Sequence, residues 1–159
     1  MHTYRQDLTS LMNSSIIEIA TDLHQQIERW SDLYDHVIVM GDMNETCTTH
    51  DRSPPRAHHI CTYMQWMNDH AGFYDVYRSL HPHHTTSPGY THHTVGQHHR
   101  AIASRLDHIY VKGTILSDIL SISIDSHPSL TTLSHHHMLH AQLSLPHVLH
   151  NIHKYKQQI

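Results

Sequence analysis

Val37-Ile38-Val39-Met40-Gly41-Asp42-Met43-Asn44 joins four apolar residues to a glycine and an Asp-x-Asn. The run predicts a buried β-strand that ends by presenting a carboxylate and an amide at the edge of a sheet. Strand ends are where layered α/β folds collect functional side chains. The same residues also describe an ordinary strand closed by an Asp/Asn turn. The surrounding chain has to decide between the two.

Upstream, Leu8, Met12, Ile16, Ile19, Leu23, Ile27, Trp30 and Tyr34 recur at steps of three or four, with Asp7, Glu18, Asp22, Gln25, Gln26 and Arg29 off the stripe. That is a long amphipathic helix whose stripe is read as core. A helix feeding a strand is α/β organisation. Downstream, a polar loop holds Pro54 and Pro55. A second helix is expected from Ala57 to His70, with Ile60, Tyr63, Met64 and Met67 inward, ended by Ala71-Gly72. Phe73 to Leu80 reads as a short amphipathic segment, and His83 to Arg100 as a loop rich in His, Thr and Gly. Ser104 to Val111, Ile115 to Ile124 and Met138 to Leu145 alternate apolar and polar, as half-buried strands do. In the last of these Met138, Ala141, Leu143 and Leu145 are the candidates for the sheet.

The chain has 159 residues, the length of one domain or of part of a larger one. Its formal charge is −4 with neutral histidines, so no general basic character advertises nucleic-acid binding. Histidine is the outlier, at 23 residues, and near pH 6 the net charge turns positive. Two cysteines, Cys47 and Cys61, make no disulfide framework. Neither a signal peptide nor an apolar run of membrane-spanning length is visible, so a soluble, intracellular protein is expected.

Five segments stand in order along the chain. They are Gly41-Asp42-Met43-Asn44, then Asp75-Val76-Tyr77-Arg78 with Pro82 beyond it, and Tyr90-Thr91-His92-His93-Thr94. Ser104-Arg105-Leu106-Asp107-His108-Ile109 and Ser134-His135-His136 follow. Together they resemble the endonuclease/exonuclease/phosphatase superfamily, which includes abasic-site endonucleases of the exonuclease III kind, deoxyribonuclease I and the endonuclease domains of non-LTR retroelements. The family pattern is Gly-Asp-x-Asn, Asp-x-x-Arg-x-x-x-Pro, a Thr-containing strand, Ser-Arg-(Ile/Leu)-Asp-(Tyr/His)-Ile and Ser-Asp-His.

The resemblance implies an α/β fold, the C-terminal part of a four-layer α/β/β/α sandwich, over residues 1–145, with 146–159 as a polar tail. It implies Mg²⁺-dependent hydrolysis of phosphodiesters, most naturally in DNA. Asp42 would align the attacking water and Asn44 would donate to a phosphate oxygen. Asp107 would fix His136, whose protonated ring binds the phosphate. Arg78, Tyr90 and Thr91 would support the site or line the substrate. Two departures qualify this. The family's N-terminal part, with its metal-binding Glu, has no counterpart in the sequence as it stands. In addition, the Asp of Ser-Asp-His is His135, an imidazole where Mg²⁺ prefers hard oxygen. The expectation is an N-terminally truncated member, weakly active or inactive, with a sheet face and edge open to self-association.

The histidine pairs His83-His84, His92-His93 and His98-His99, and the run His135-His136-His137, carry the competing reading of a histidine-rich metal-binding or interaction module. Neighbouring histidines in a strand point to opposite faces, so a pair rarely chelates one ion. Solvated loop histidines are one reading and a Zn²⁺ or Ni²⁺ site the other. Cys47-x-x-His50 with His58, His59 and Cys61 has a zinc-finger flavour, but its spacer is short.

Overall fold

A computed structural model describes residues 21–55, 62–69, 71–83, 88–125 and 134–144. Its first helix, α1, covers residues 21–33. The upstream half of the apolar stripe, Leu8 to Ile19, lies outside the described residues. Within α1, Ile27 is buried, whereas Leu23 and Trp30, and Tyr34 just beyond the helix, are exposed. Among the described residues the stripe is therefore core at Ile27 only. Periodicity reports which residues share a face, not how much apolar surface stands opposite that face.

Strand β1 (Val37–Asp42) pairs antiparallel with β6 (Asp107–Lys112), and β6 pairs antiparallel with β3 (Phe73–Asp75), in the order β1-β6-β3. The decisive stretch is thus a strand, but an edge strand of the described sheet rather than one buried on both faces. Val37 is covered, while Ile38 is 41% and Met40 67% exposed. The alternation follows from what covers each face. One face carries α1 and α2 (Thr62–Asp69), which bury Ile27, Met64 and Met67 against Val37, Phe73 and Tyr110. The opposite face of β6 is covered by α3 (Val76–Leu80) and by the strand pair β7 (Ile119–Asp125) and β8 (Met138–Leu143). Val76, Tyr77, Ile115, Ile119 and Ile122 close there over Ile109 and Val111. That cover leaves Ile38 and Met40 of β1 open.

Of the second-helix residues, Met64 and Met67 are buried and Tyr63 is half-buried; Ile60 lies outside the described residues. Gly72, at φ +69°, supplies the left-handed backbone that ends this stretch before β3. In β8 the inward set is Leu139, Ala141 and Leu143, and Met138 turns out to solvent. The register to β7, Ile122 opposite Ala141, decides that phase. Leu145 lies outside the described residues. The Ile115 run begins as a 3₁₀ turn, Thr114–Asp118, and becomes strand only at Ile119.

A second antiparallel sheet has the order β2-β5-β4, with β2 at Arg52–Ser53, β4 at His92–Val95 and β5 at Ala101–Ser104. The expected His83–Arg100 loop therefore contains a strand. Composition concealed it, because histidine and threonine at its positions look polar while the backbone pairs with β5 from His92↔Ser104 to Val95↔Ala101. The expected single strand Ser104–Val111 is likewise two strands in two sheets. The chain breaks at Arg105-Leu106, where Arg105 turns into the interior.

These two sides of the sheet give a direct check. Phe73→Ala should cost about 3–5 kcal/mol in urea unfolding, since it empties the helix-facing core. Met40→Ala should stay within about 0.5 kcal/mol. Equal losses would mean that β1 is covered on both faces.

Candidate functional site

The end of β1 explains its own sequence. Gly41 has φ +153°, a backbone that residues with a Cβ rarely adopt, and a Cβ there would meet nothing within 4 Å. Asp42 Oδ1 then accepts the backbone N–H of Asn44 at 2.8 Å, and Asn44 takes φ +53°. Asparagine tolerates the left-handed region because its short amide bonds locally. The Asp/Asn turn is therefore real, and it leaves Asp42 Oδ2 to face outward from the strand end.

Antiparallel pairing puts Asp42 directly opposite Asp107 at the first position of β6. Two carboxylates facing one another repel unless a positive group lies between them. The His136 ring lies between them. Its Nδ1 is 2.9 Å from Asp107 Oδ2 and its Nε2 is 3.8 Å from Asp42 Oδ2. The expected Asp107–His136 hydrogen bond is thus present, and Nδ1 donates in it. Ser134 holds the histidine's backbone, its hydroxyl accepting the His136 N–H at 3.0 Å. All three side chains are only partly exposed, so an incoming group can reach them.

Thr91 positions Asp107. It is fully buried, and its hydroxyl accepts the backbone N–H groups of Leu106 (3.1 Å) and Asp107 (3.0 Å). Its place is structural, not on the substrate. Residues 135–137 run antiparallel beside β4. His93 N donates to the His135 carbonyl at 3.0 Å, and His137 N donates to the Thr91 carbonyl at 2.6 Å. This pairing sorts the histidines by face. His92 lies with His136, ring centroids 4.7 Å apart, and His93 stacks on His137 at 4.5 Å. Burial, then the charge of His136, keeps His92 below the ordinary imidazole value. Burial, then His137, does the same for His93. Both rings therefore favour the neutral form. His135 lies on the other face and lines an open groove of about 610 Å³ with Tyr90, His93 and Ile102. Neither Tyr90 nor His135 joins the ligand atoms gathered from Asp42, Asp107 and His136. His92 was missed as a site residue. Its signal was its register, one residue after Thr91 and opposite His136.

Arg78 is held elsewhere. Its Nη2 donates to Asp51 Oδ1 (2.8 Å) and to the Pro88 carbonyl (2.5 Å). Asp75 caps α3 by accepting the Arg78 N–H at 3.2 Å, so Asp-x-x-Arg is in part a helix-capping pattern. At the centre is Arg105, 1% exposed. Its Nε donates to Asp51 Oδ1 (2.9 Å), and its Nη1 donates to Asp75 Oδ2 (2.6 Å) and lies 3.0 Å from His108 Nδ1. His108 Nε2 donates back to the Arg105 carbonyl at 3.1 Å.

Cys47, Asp75 and His108 also bring potential ligand atoms together. The Arg105 guanidinium already supplies the positive charge there, and burial pushes the Cys47 thiol up to about 12, so it stays protonated. Cys47 Sγ instead lies 2.9 Å from Tyr110 Oη. The other residues of the zinc-finger pattern, His58, His59 and Cys61, lie outside the described residues.

The donor set does not fit Mg²⁺. Asp107 Oδ2 is committed to His136, and Asp42 Oδ1 to Asn44. The ligand atoms that gather are one each from Asp42, Asp107 and His136, so one of the three is an imidazole nitrogen. Mg²⁺ demands octahedral, hard-oxygen ligation. No protein-family model matches the sequence, and no curated protein matches it.

Strong acid should weaken the Arg105 network. Burial raises Asp51, but the charge and hydrogen bond of Arg105 outweigh it and hold the carboxyl below its ordinary range. Burial likewise raises Asp75, and His108 and Arg105 beside it bring it well below that range. Depressed carboxyls contribute stability that is present above the ordinary carboxylate range and lost as pH falls through the folded values. Arg105→Gln should cost about 3–5 kcal/mol at neutral pH by stranding buried carboxylates. The same change should flatten or invert the wild-type loss of stability on acidification below about pH 5, from the ordinary carboxylate range down toward the depressed folded values. Denaturant melts at several pH values read both; an unchanged slope would remove Arg105 from this account.

Proposed function

We propose that this chain derives from the endonuclease/exonuclease/phosphatase superfamily and that its site recognises the phosphodiester of nucleic acid, DNA in the first place. Hydrolysis of that bond is the parent reaction, and the chain carries it out weakly or not at all with Mg²⁺. One observation carries the reading: Asp42 and Asp107 oppose each other at the ends of paired strands with His136 between them. Helices on one face of the β1-β6-β3 sheet and strands β7-β8 on the other support an origin in the four-layer α/β/β/α sandwich.

The residues divide the task by chemistry. Asp107 fixes the orientation of His136 through Nδ1. Where Nε2 carries a proton it donates to a phosphate oxygen, the position a bound ion would otherwise take. Asp42 Oδ2, 3.8 Å from Nε2, accepts from a water held beside the phosphorus. Arg78 and Thr91 act behind the site, through Asp51 and through the backbone of Asp107, and not on substrate.

Fluorescence anisotropy of a short DNA oligonucleotide at low salt tests recognition. His136→Ala should weaken binding about tenfold, the worth of one charge-assisted hydrogen bond. Identical binding by both proteins would sink the reading. Plasmid nicking in Mg²⁺ with an EDTA control should show no cleavage by the wild type. His135→Asp alone should not create it, because position 135 faces the Tyr90 groove. Robust EDTA-sensitive nicking, abolished by His136→Ala, would show that the site tolerates Mg²⁺ after all.

The open part of the sheet supports self-association as well. Ile38 and Met40 project from an edge strand of the described sheet, and such edges template pairing. Met40→Lys should move the sizing profile toward monomer; a wild-type profile already monomeric at high concentration would exclude it.

A further inference from the structure

Asp42 and His136 already stand at a metal's bite. His136 Nδ1 donates to Asp107, which turns Nε2 toward Asp42 Oδ2 at 3.8 Å. A tetrahedral ion with bonds of about 2.0–2.1 Å sets its ligand atoms about 3.3–3.4 Å apart. Closing the difference takes a few tenths of an ångström, and these partly exposed side chains have room to give it. The arrangement is that of carboxylate, histidine and metal in series, in which the outer carboxylate fixes the ring and raises its basicity. A third donor is near enough to join by turning its ring, although its nitrogens lie outside the ligand-atom group formed by Asp42, Asp107 and His136. The His92 ring lies 4.7 Å from that of His136 on the same face, brought there by the pairing of β4 with residues 135–137.

Imidazole nitrogen with a carboxylate suits zinc-type ions and not Mg²⁺. We propose that Asp42, His136 and His92 hold a Zn²⁺-type divalent ion, with Asp107 as the outer partner that orients His136. The inference rests on the phosphodiester reading for the location of the site and not for its chemistry.

Other histidines of a chain this rich in them also bind zinc weakly, so the test follows one site. Co²⁺ is titrated into the folded chain and its visible d–d absorption is followed, then displaced with Zn²⁺ or Mg²⁺. One equivalent of Co²⁺ should give a low-coordinate N/O spectrum that Zn²⁺ removes stoichiometrically and that Mg²⁺ at a hundredfold excess leaves. Asp42→Asn and His136→Ala should abolish that spectrum. Asp107→Asn should weaken binding about 10- to 100-fold, the range for losing an outer partner. His92→Phe should change the spectrum by removing a nitrogen ligand, and His98→Ala, in an exposed turn, should leave it unaltered.

Asp42→Asn is near-isosteric at a partly exposed position, and circular dichroism confirms its fold. As a second readout, Zn²⁺ should raise the melting temperature of the wild type and not of Asp42→Asn. A Co²⁺ spectrum unaltered in Asp42→Asn and His136→Ala, or Mg²⁺ displacing Co²⁺ as readily as Zn²⁺ does, overturns the proposal. Failure here with His136-dependent oligonucleotide binding intact removes the metal only. A zinc site without such binding removes the phosphodiester reading only.

Discussion

Arg105 is a buried cation, and the described structure is arranged to neutralise it. Taking a guanidinium out of water costs several kcal/mol, which only well-placed carboxylates and saturated hydrogen bonds offset. Asp51 comes from the turn before β2, and Asp75 from the junction of β3 and α3. Arg78 joins through Asp51, so two arginines face two aspartates and the charges balance. The backbone takes part as well, since Arg105 N donates to the Asp51 carbonyl at 2.8 Å. Elements distant in sequence are thereby tied to one point between the two three-stranded sheets.

That knot sets the geometry of the site. Because Arg105 turns inward, β5 cannot run on into β6, and the chain passes from one sheet to the other at Arg105-Leu106. Asp107 therefore opens β6 and lands opposite Asp42. Thr91, one residue before β4, holds the crossing by taking two N–H groups on one hydroxyl. The same β4 then carries the His136 segment along its free side. The cluster of Asp42, Asp107 and His136 thus joins three chain segments that meet because of a buried network behind them.

Much of this was legible residue by residue and some was not. The patterns Ser104-Arg105-Leu106-Asp107 and Ser134-His135-His136 pointed to Asp107 and His136, and their hydrogen bond is present. The alternation of β7 and β8 was visible because one face of that pair packs on α3 and β6. Strand β4 was hidden, since its alternation is written in histidine and threonine rather than in apolar residues. Arg78, Tyr90 and Thr91 were expected to support the site or to line the substrate, and the first and last are internal supports. A polar side chain used to satisfy buried groups and one used on a ligand are the same residue type in sequence.

By itself the sequence determined the local facts: α1 from its period, the turn at Gly41-Asp42-Met43-Asn44 from its glycine and its Asp and Asn, and the inward faces of α2 and β7. These depend on neighbours within a turn or a strand, where periodicity and backbone preference act. Only the tertiary structure decided that β1 is an edge strand of the described sheet, that Arg105 divides two sheets, and that His92 shares a face with His136 while His135 does not. Each of these depends on pairing register across tens of residues, and a shift of one residue would move every side chain to the opposite face.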